Sequence, residues 1–154
     1  MNQATLLFLL DDNQILLAMK KRGFGAGRWN GVGGKSNQNE TIESAAIREC
    51  QEEILVIPKD IKKVATLDFY FPEKKKEWNQ RVTVFICKNW EGTPKETEEM
   101  APRWFTVDQI PYDKMWSDDS YWLPKVIDGQ HVKASFSFDD KDILLKHSVE
   151  LLPN

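Results

Sequence analysis

Cysteine and histidine are scarce, with two of each in 154 residues. Cys50 and Cys87 are too few for a disulfide framework, and both sit among apolar neighbours, the setting of buried thiols. His131 and His147 have no metal-binding spacing with each other or with either cysteine. Long hydrophobic runs are missing too: the longest, residues 6–10, cannot span a bilayer. The N-terminus has no basic segment followed by a cleavable apolar stretch, so no secretory signal is expected. Neither sign of charge is in excess. Twenty-one Lys and Arg against 24 Asp and Glu leave −3, which nominates neither a nucleic-acid polymer nor a membrane surface as partner. Repeats, low-complexity tracts and linkers are absent. The expectation is one cytoplasmic domain over residues 1–154.

What is present suffices for a core, since 41% of residues are hydrophobic. Apolar runs at 5–10 and 15–19, separated by Asp11-Asp12-Asn13-Gln14, predict a hairpin with largely covered strands. A loop rich in glycine, basic and aromatic residues follows over 20–30. Residues 41–54 form the clearest helix, with Thr41 as N-cap and Glu43 in the first turn. Strands are predicted over 64–71 and 81–87, joined by a charged stretch, and a short aromatic strand around Trp104 and Phe105. Ser117-Asp118-Asp119-Ser120 offers N-cap chemistry for a helix running towards Gly129, with an early kink at Pro124. Val132, Ala134, Phe136 and Phe138 alternate with polar residues as a half-buried strand, and residues 139–142 turn it into a last strand from Ile143. Helices separated by strands give an α+β domain with a mixed, largely antiparallel sheet packed between helices.

The chemistry concentrates on the helix 41–54. On a helical wheel Ala46, Ile47, Cys50 and Ile54 fall on one stripe, and Glu49, Glu52 and Glu53 on a second, roughly 125° away. The carboxylates therefore flank the buried side, where neighbouring elements can close over them. Like charges three and four residues apart repel, and here they also oppose the helix dipole. An acidic solvated face explains such a trio, taken alone, more readily than a site does. A hard divalent cation would remove the conflict.

The residues upstream decide between the two. Gly34, five residues, Glu40, seven residues, then Arg48-Glu49-Cys50-Gln51-Glu52-Glu53 resembles the Nudix box G-x5-E-x7-R-E-U-x-E-E-x-G-U, where U is bulky and apolar. Six polar or glycine positions match within a 23-residue frame, and Cys50 and Val56 fill apolar ones. The resemblance implies a Nudix α/β/α sandwich and a diphosphatase that uses Mg²⁺, or Mn²⁺ as substitute. It assigns Glu49, Glu52 and Glu53 to the metal, with the Gly33 carbonyl and Glu99 beside them. Arg48 joins the catalytic set and, with Glu40, holds helix and loop in register; Gly34 and Lys35 lie on the substrate side. One position departs: Leu55 stands at the box's last glycine, where a positive φ would cost a Leu about 1 kcal/mol or more. A slightly rebuilt helix end is therefore expected, with activity surviving.

Beyond the box, residues 20–35, 100–105 and 115–122 resemble the branch of the family that acts on oxidised purine nucleoside triphosphates such as 8-oxo-dGTP and 2-oxo-dATP. That likeness implies a base pocket from Asn30, Trp116, Asp118 and Asp119, walled by Phe24 and Phe69 with Thr5 at its floor, and Lys20 near the phosphates. Adjacent carboxylates in a partly apolar pocket favour one of them keeping its proton, which sets a donor beside an acceptor. The implied partner is a small nucleotide and the implied state a monomer. Lys74-Lys75-Lys76 between Glu73 and Glu77 reads as a solvated hairpin tip, a few residues longer than in that branch, and able to alter access to the pocket. The alternatives are hydrolysis of other modified nucleotides, such as methylated purine triphosphates, and a nucleotide-binding module without turnover, the latter motivated by Leu55 alone.

Overall fold

A computed structural model describes residues 1–153. Its strands are β1 (Asn2–Asp11), β2 (Gln14–Lys20), β3 (Trp29–Asn30), β4 (Ile57–Lys59), β5 (Lys62–Tyr70), β6 (Gln80–Cys87), β7 (Asn89–Glu91), β8 (Met100–Thr106), β9 (His131–Phe138) and β10 (Leu144–Leu152). Two α-helices are present, α1 (Ile42–Ile54) and α2 (Asp119–Ile127). The large sheet runs β10-β9-β5-β6-β1-β2-β3, with β8 on the other edge of β2. Its β1–β6 and β5–β9 pairs are parallel and the rest antiparallel, as expected of a mixed, largely antiparallel sheet. The small β4–β7 ladder was not legible, because Pro58 reads as a breaker rather than as a strand residue.

Period-two alternation gives the sheet two buried faces. Phe8, Ile15, Leu17, Val82 and Val84 pack with Trp122, Leu123 and Val126 of α2. Leu7, Leu9, Leu16, Ala18 and Phe85 pack with Ala46, Cys50 and Ile54 of α1. The sheet is thus sandwiched between the two helices, and both cysteines are buried free thiols.

The predicted hairpin holds only at its turn. β1 and β2 pair at Leu10–Ile15 and Asp11–Gln14 and then splay apart. The segment 29–35 wedges into the gap, pairing with β2 at Ala18 and Met19 and with β1 through Leu7–Val32 bonds of 2.7 and 3.0 Å. Thr5 N–H donates to the Gly34 carbonyl at 2.9 Å. Such intimacy requires glycine at 33, where a Cβ would lie 1.9 Å from the Thr5 carbonyl oxygen. The wedge carries Gly33 and Gly34 to the edge of α1.

The helix ends where the box glycine would stand, but it is not rebuilt. Leu55 takes the left-handed cap conformation itself (φ 62°, ψ 33°), and its N–H donates to the Gln51 carbonyl. Further donors satisfy the last carbonyls: Lys95 N–H reaches Ile54 O at 3.0 Å and Thr97 Oγ1 reaches Glu53 O at 2.8 Å. The geometry is kept at the cost of backbone strain at a residue 51% exposed. Leu55→Gly is therefore expected to raise unfolding stability by about 1 kcal/mol in urea titration, with activity unchanged. At the other end Thr41 caps as expected, its side chain accepting from Ser44 N–H at 3.1 Å.

Candidate active site

Two chemically distinct regions meet along Gly33 and Gly34. The first is the carboxylate face of α1. Glu53 is 4% exposed, and its Oε1 accepts the Gly33 N–H at 2.9 Å. Burial pushes its carboxyl up to about 8; the Gly33 bond opposes this, the charges of Glu49 and Glu99 add to it, and Lys20 opposes it. Glu49 is half-buried, and burial raises it in spite of its bond to Arg48. Gly34 sits so close that a Cβ there would lie 2.8 Å from the Glu49 carboxylate. Glu52 is exposed and Glu99 half-exposed, the latter 3.8 Å from Arg22 Nη2.

Arg48 organises this face from behind. Its Nε and Nη2 grip Glu40 at 2.7 and 3.1 Å, Nη1 reaches Glu49 at 3.0 Å and Glu52 at 3.2 Å, and Nη2 also donates to the Lys35 carbonyl at 3.2 Å. Glu40 Oε1 in turn accepts Asn37 N–H at 2.9 Å. Arg48, like Glu49, Glu52 and Glu53, lines no part of the cavity described below; its contacts hold the carboxylate face to the Lys35 carbonyl.

Among the described residues no three His, Cys, Asp or Glu side chains converge into a formed cation cage. Arg48 draws Glu49 and Glu52 to itself, and Gly33 holds Glu53 through its N–H. The donor chemistry nevertheless fits a divalent cation. A buried carboxylate that accepts the Gly33 N–H and faces the charges of Glu49 and Glu99 is a costly arrangement that hard, positive oxygen-seeking ions relieve.

The second region is a cavity of 280 Å³. Thr5, Lys20, Phe24, Asn30, Gly33, Gly34, Lys35, Phe69, Trp116, Asp118 and Asp119, drawn from distant parts of the sequence, all line it. The carboxylates Glu49, Glu52, Glu53 and Glu99 do not; Glu53 and Glu49 meet the Gly33–Gly34 segment that does. Its walls are aromatic. Phe69 stacks on Phe136 at 5.6 Å, Trp116 meets Phe138 edge-on at 5.6 Å, and the Arg28 guanidinium covers Trp116 at 4.1 Å.

At one end stand Asp118 and Asp119, 2% and 3% exposed. Asp118 does not cap α2 with its side chain; it accepts Trp122 Nε1–H at 2.8 Å instead. Asp119 Oδ2 is buried without a hydrogen-bond partner. Burial raises both carboxyls, and for Asp119 the neighbouring Asp118 charge adds strongly, so Asp119 holds its proton well above the usual carboxylate range. Asn30 Oδ1 accepts Gly31 N–H at 2.9 Å.

Sequence reasoning missed Arg28, Phe71, Trp78, Gln80, Met100 and Phe138 as lining residues. Phe138 was visible as the inward end of an alternating strand. Trp78 was hidden beside a run of lysines.

With the geometry in place, comparison with known proteins is direct. A model of the NUDIX domain matches residues 1–126. The chain belongs to the Nudix hydrolase family. It is 43% identical over 145 residues to the oxidized purine nucleoside triphosphate hydrolase of Mus musculus, covering 94% of this chain and 92% of that protein. The protein of the same name from Danio rerio is 39% identical over 146 residues, 95% of this chain and 92% of its own length. Among solved structures, the MutT protein of Bacillus halodurans superimposes with a TM-score of 0.86 over 97% of this chain and 98% of its own, at 23% identity, a likeness of fold. No helix among the described residues is long and apolar enough to cross a membrane.

Proposed function

We propose that this chain hydrolyses oxidised purine nucleoside triphosphates, of the 8-oxo-dGTP and 2-oxo-dATP kind, to the monophosphate and diphosphate, and so clears the nucleotide pool of mispairing precursors. The observation that carries the reading is the buried Asp118–Asp119 pair at the end of an aromatic cavity, with Asp119 Oδ2 lacking a partner. A protonated Asp119 beside an ionised Asp118 offers a donor next to an acceptor, the complement of a purine edge altered by oxidation. Exchange of that one proton would let the pair accept an oxidised adenine as well. Asn30 adds a further donor and acceptor, and the flat walls at Phe24, Phe69 and Trp116 suit a base.

Glu49, Glu52 and Glu53, with Glu99 and the Gly33 carbonyl near them, would hold Mg²⁺, with Mn²⁺ as substitute. When bound, the cation neutralises phosphate charge and lowers the pKa of a bound water. The protein's own part is positional. Arg48 and Glu40 fix the carboxylate face to the wedge strand. Lys20 and Lys35 are cationic residues of the cavity lining and would suit a polyphosphate leaving the base pocket. The protein would act as a monomer on the cytoplasmic nucleotide pool.

The non-catalytic alternative rested on Leu55, and its motivation lapses because Leu55 keeps the helix end intact. Methylated purine triphosphates remain the rival substrates, and nothing in the pocket favours them over oxidised ones. The test is release of diphosphate from 8-oxo-dGTP against dGTP, with and without Mg²⁺.

A further inference from the structure

The segment between β5 and β6 has the composition of a solvated tip, and Glu73, Lys74, Lys76 and Glu77 are indeed exposed. Yet it is folded. Residues Glu73–Trp78 form a 3-10 helix broken at Lys75 (φ −122°, ψ 23°), and side-chain bonds hold it down. At its foot Phe71 N–H donates to Asn79 Oδ1 at 2.7 Å, and Asn2 Nδ2 donates to the Glu77 carbonyl at 2.8 Å. At its tip Lys75 Nζ donates to the Asp140 carbonyl at 2.7 Å, in the turn that follows β9. So tethered, the segment turns Trp78 inward against the cavity.

There the indole stacks on Phe24, with centroids 4.1 Å apart and planes 30° from parallel. No base fits between rings so close, since carbon atoms need about 3.5 Å on each side of it. Trp78 therefore backs Phe24 rather than facing it across a substrate. Phe24 is carried by the glycine-rich loop 23–27, whose hydrogen bonds (Ala26 N–H to Gly23 O, Gly27 N–H to Lys20 O, Arg28 N–H to Gly25 O) all close within residues 20–28. Against the body of the protein this loop rests on aromatic contacts: Phe24 stacks on Trp78, meets Trp116 at 5.1 Å and meets Phe71 edge-on at 5.8 Å. A Cβ on Gly25 would stand 3.2 Å from Trp116 Nε1, so the loop lies directly on that indole.

We infer that Trp78 is a positioning residue for purine recognition: it pins the glycine-rich loop through Phe24 and so sets the outer wall of the base pocket. The inference rests on the proposed purine triphosphate substrate for its kinetic consequence and on the structure alone for its mechanical one. Trp78 lies outside both buried clusters, so its replacement leaves the core untouched.

The test compares Trp78→Ala and Trp78→Phe with the unaltered protein by two readouts. Limited digestion with trypsin, without nucleotide, reads access to Arg22 and Arg28 at the loop's flanks. In Trp78→Ala cleavage there is expected to rise about tenfold, and KM for 8-oxo-dGTP about tenfold with kcat within about twofold, the size of a lost aromatic stack and its buried area. Trp78→Phe restores both to within about threefold, because a flat face returns. A Lys75→Met variant, which keeps Trp78 and frees only the tip, moves both readouts in the same direction by less. Unchanged cleavage in Trp78→Ala, or a kcat loss without a KM rise, overturns the inference. If the unaltered protein does not turn over 8-oxo-dGTP, the substrate reading fails, while the cleavage readout still judges the pinning.

Discussion

Glu53→Gln abolishes turnover: kcat falls by about 10³-fold or more, with KM within a few-fold. The amide oxygen of Gln can still accept the Gly33 N–H that Glu53 Oε1 accepts at 2.9 Å, so the wedge strand stays in place and the loss is one of charge. The same change removes a buried carboxylate that burial and its acidic neighbours disfavour. Without added cation the variant should therefore melt no lower than the parent protein. The rise in melting temperature on adding Mg²⁺, expected of any ion bound to the folded state, should disappear with it. Steady-state kinetics and thermal melts with and without the ion check both halves. Activity within tenfold of the parent would remove Glu53 from the centre of the account.

Asp119→Asn collapses discrimination. The expected loss in kcat/KM for 8-oxo-dGTP is about 10²-fold, with dGTP little changed, because the variant can no longer exchange a proton with Asp118 to match the oxidised edge. Asp118→Asn should act in the same direction; full retention of the preference for oxidised over normal dGTP in that variant would defeat the reading. Stability moves the other way. The folded-state pKa of Asp119 lies above its unfolded value, so the native protein binds more protons than the unfolded chain over that interval. Its contribution favours the fold in acid and is lost as pH rises from the ordinary carboxylate range through the raised value. Asp119→Asn should thus be more stable than the parent at neutral pH, by an amount on the order of 1–3 kcal/mol. That advantage should shrink towards pH 4, which urea titrations across pH would read. The Trp122 bond is kept, since Asp118 accepts it.

Much of this was legible before any coordinates, for identifiable reasons. Local chemistry speaks through spacing: Thr41 capping α1, the alternation of β9 and the box itself survive into the structure because each is decided within a few residues. What depends on the chain returning to itself was harder to read. β1 and β2 look like a simple hairpin, and only the wedge of residues 29–35 reveals why two glycines must approach β1 so closely. Ser117-Asp118-Asp119 carries the signature of a helix cap, yet a Trp one turn on claims the Asp118 oxygen and burial does the rest. Lysines announce solvent at 74–76, and they mask Trp78, whose segment is closed by a bond to Phe71 and tied down by bonds to Asn2 and Asp140, remote in sequence. Leu55 taught the opposite lesson. Its side chain argued for a rebuilt helix end, but donors from residues 95 and 97 hold the carbonyls of that last turn in place, and the strain is tolerated.

The proposal that an acidic helix face works with an aromatic pocket for oxidised bases is tested most directly by the ratio of kcat/KM for 8-oxo-dGTP to that for dGTP. Diphosphate release should be followed in Mg²⁺ and again after chelation. The account predicts preference for the oxidised nucleotide by about tenfold or more, and no turnover of either once the ion is removed. Equal rates on the two nucleotides, or hydrolysis that persists in chelator, would contradict it.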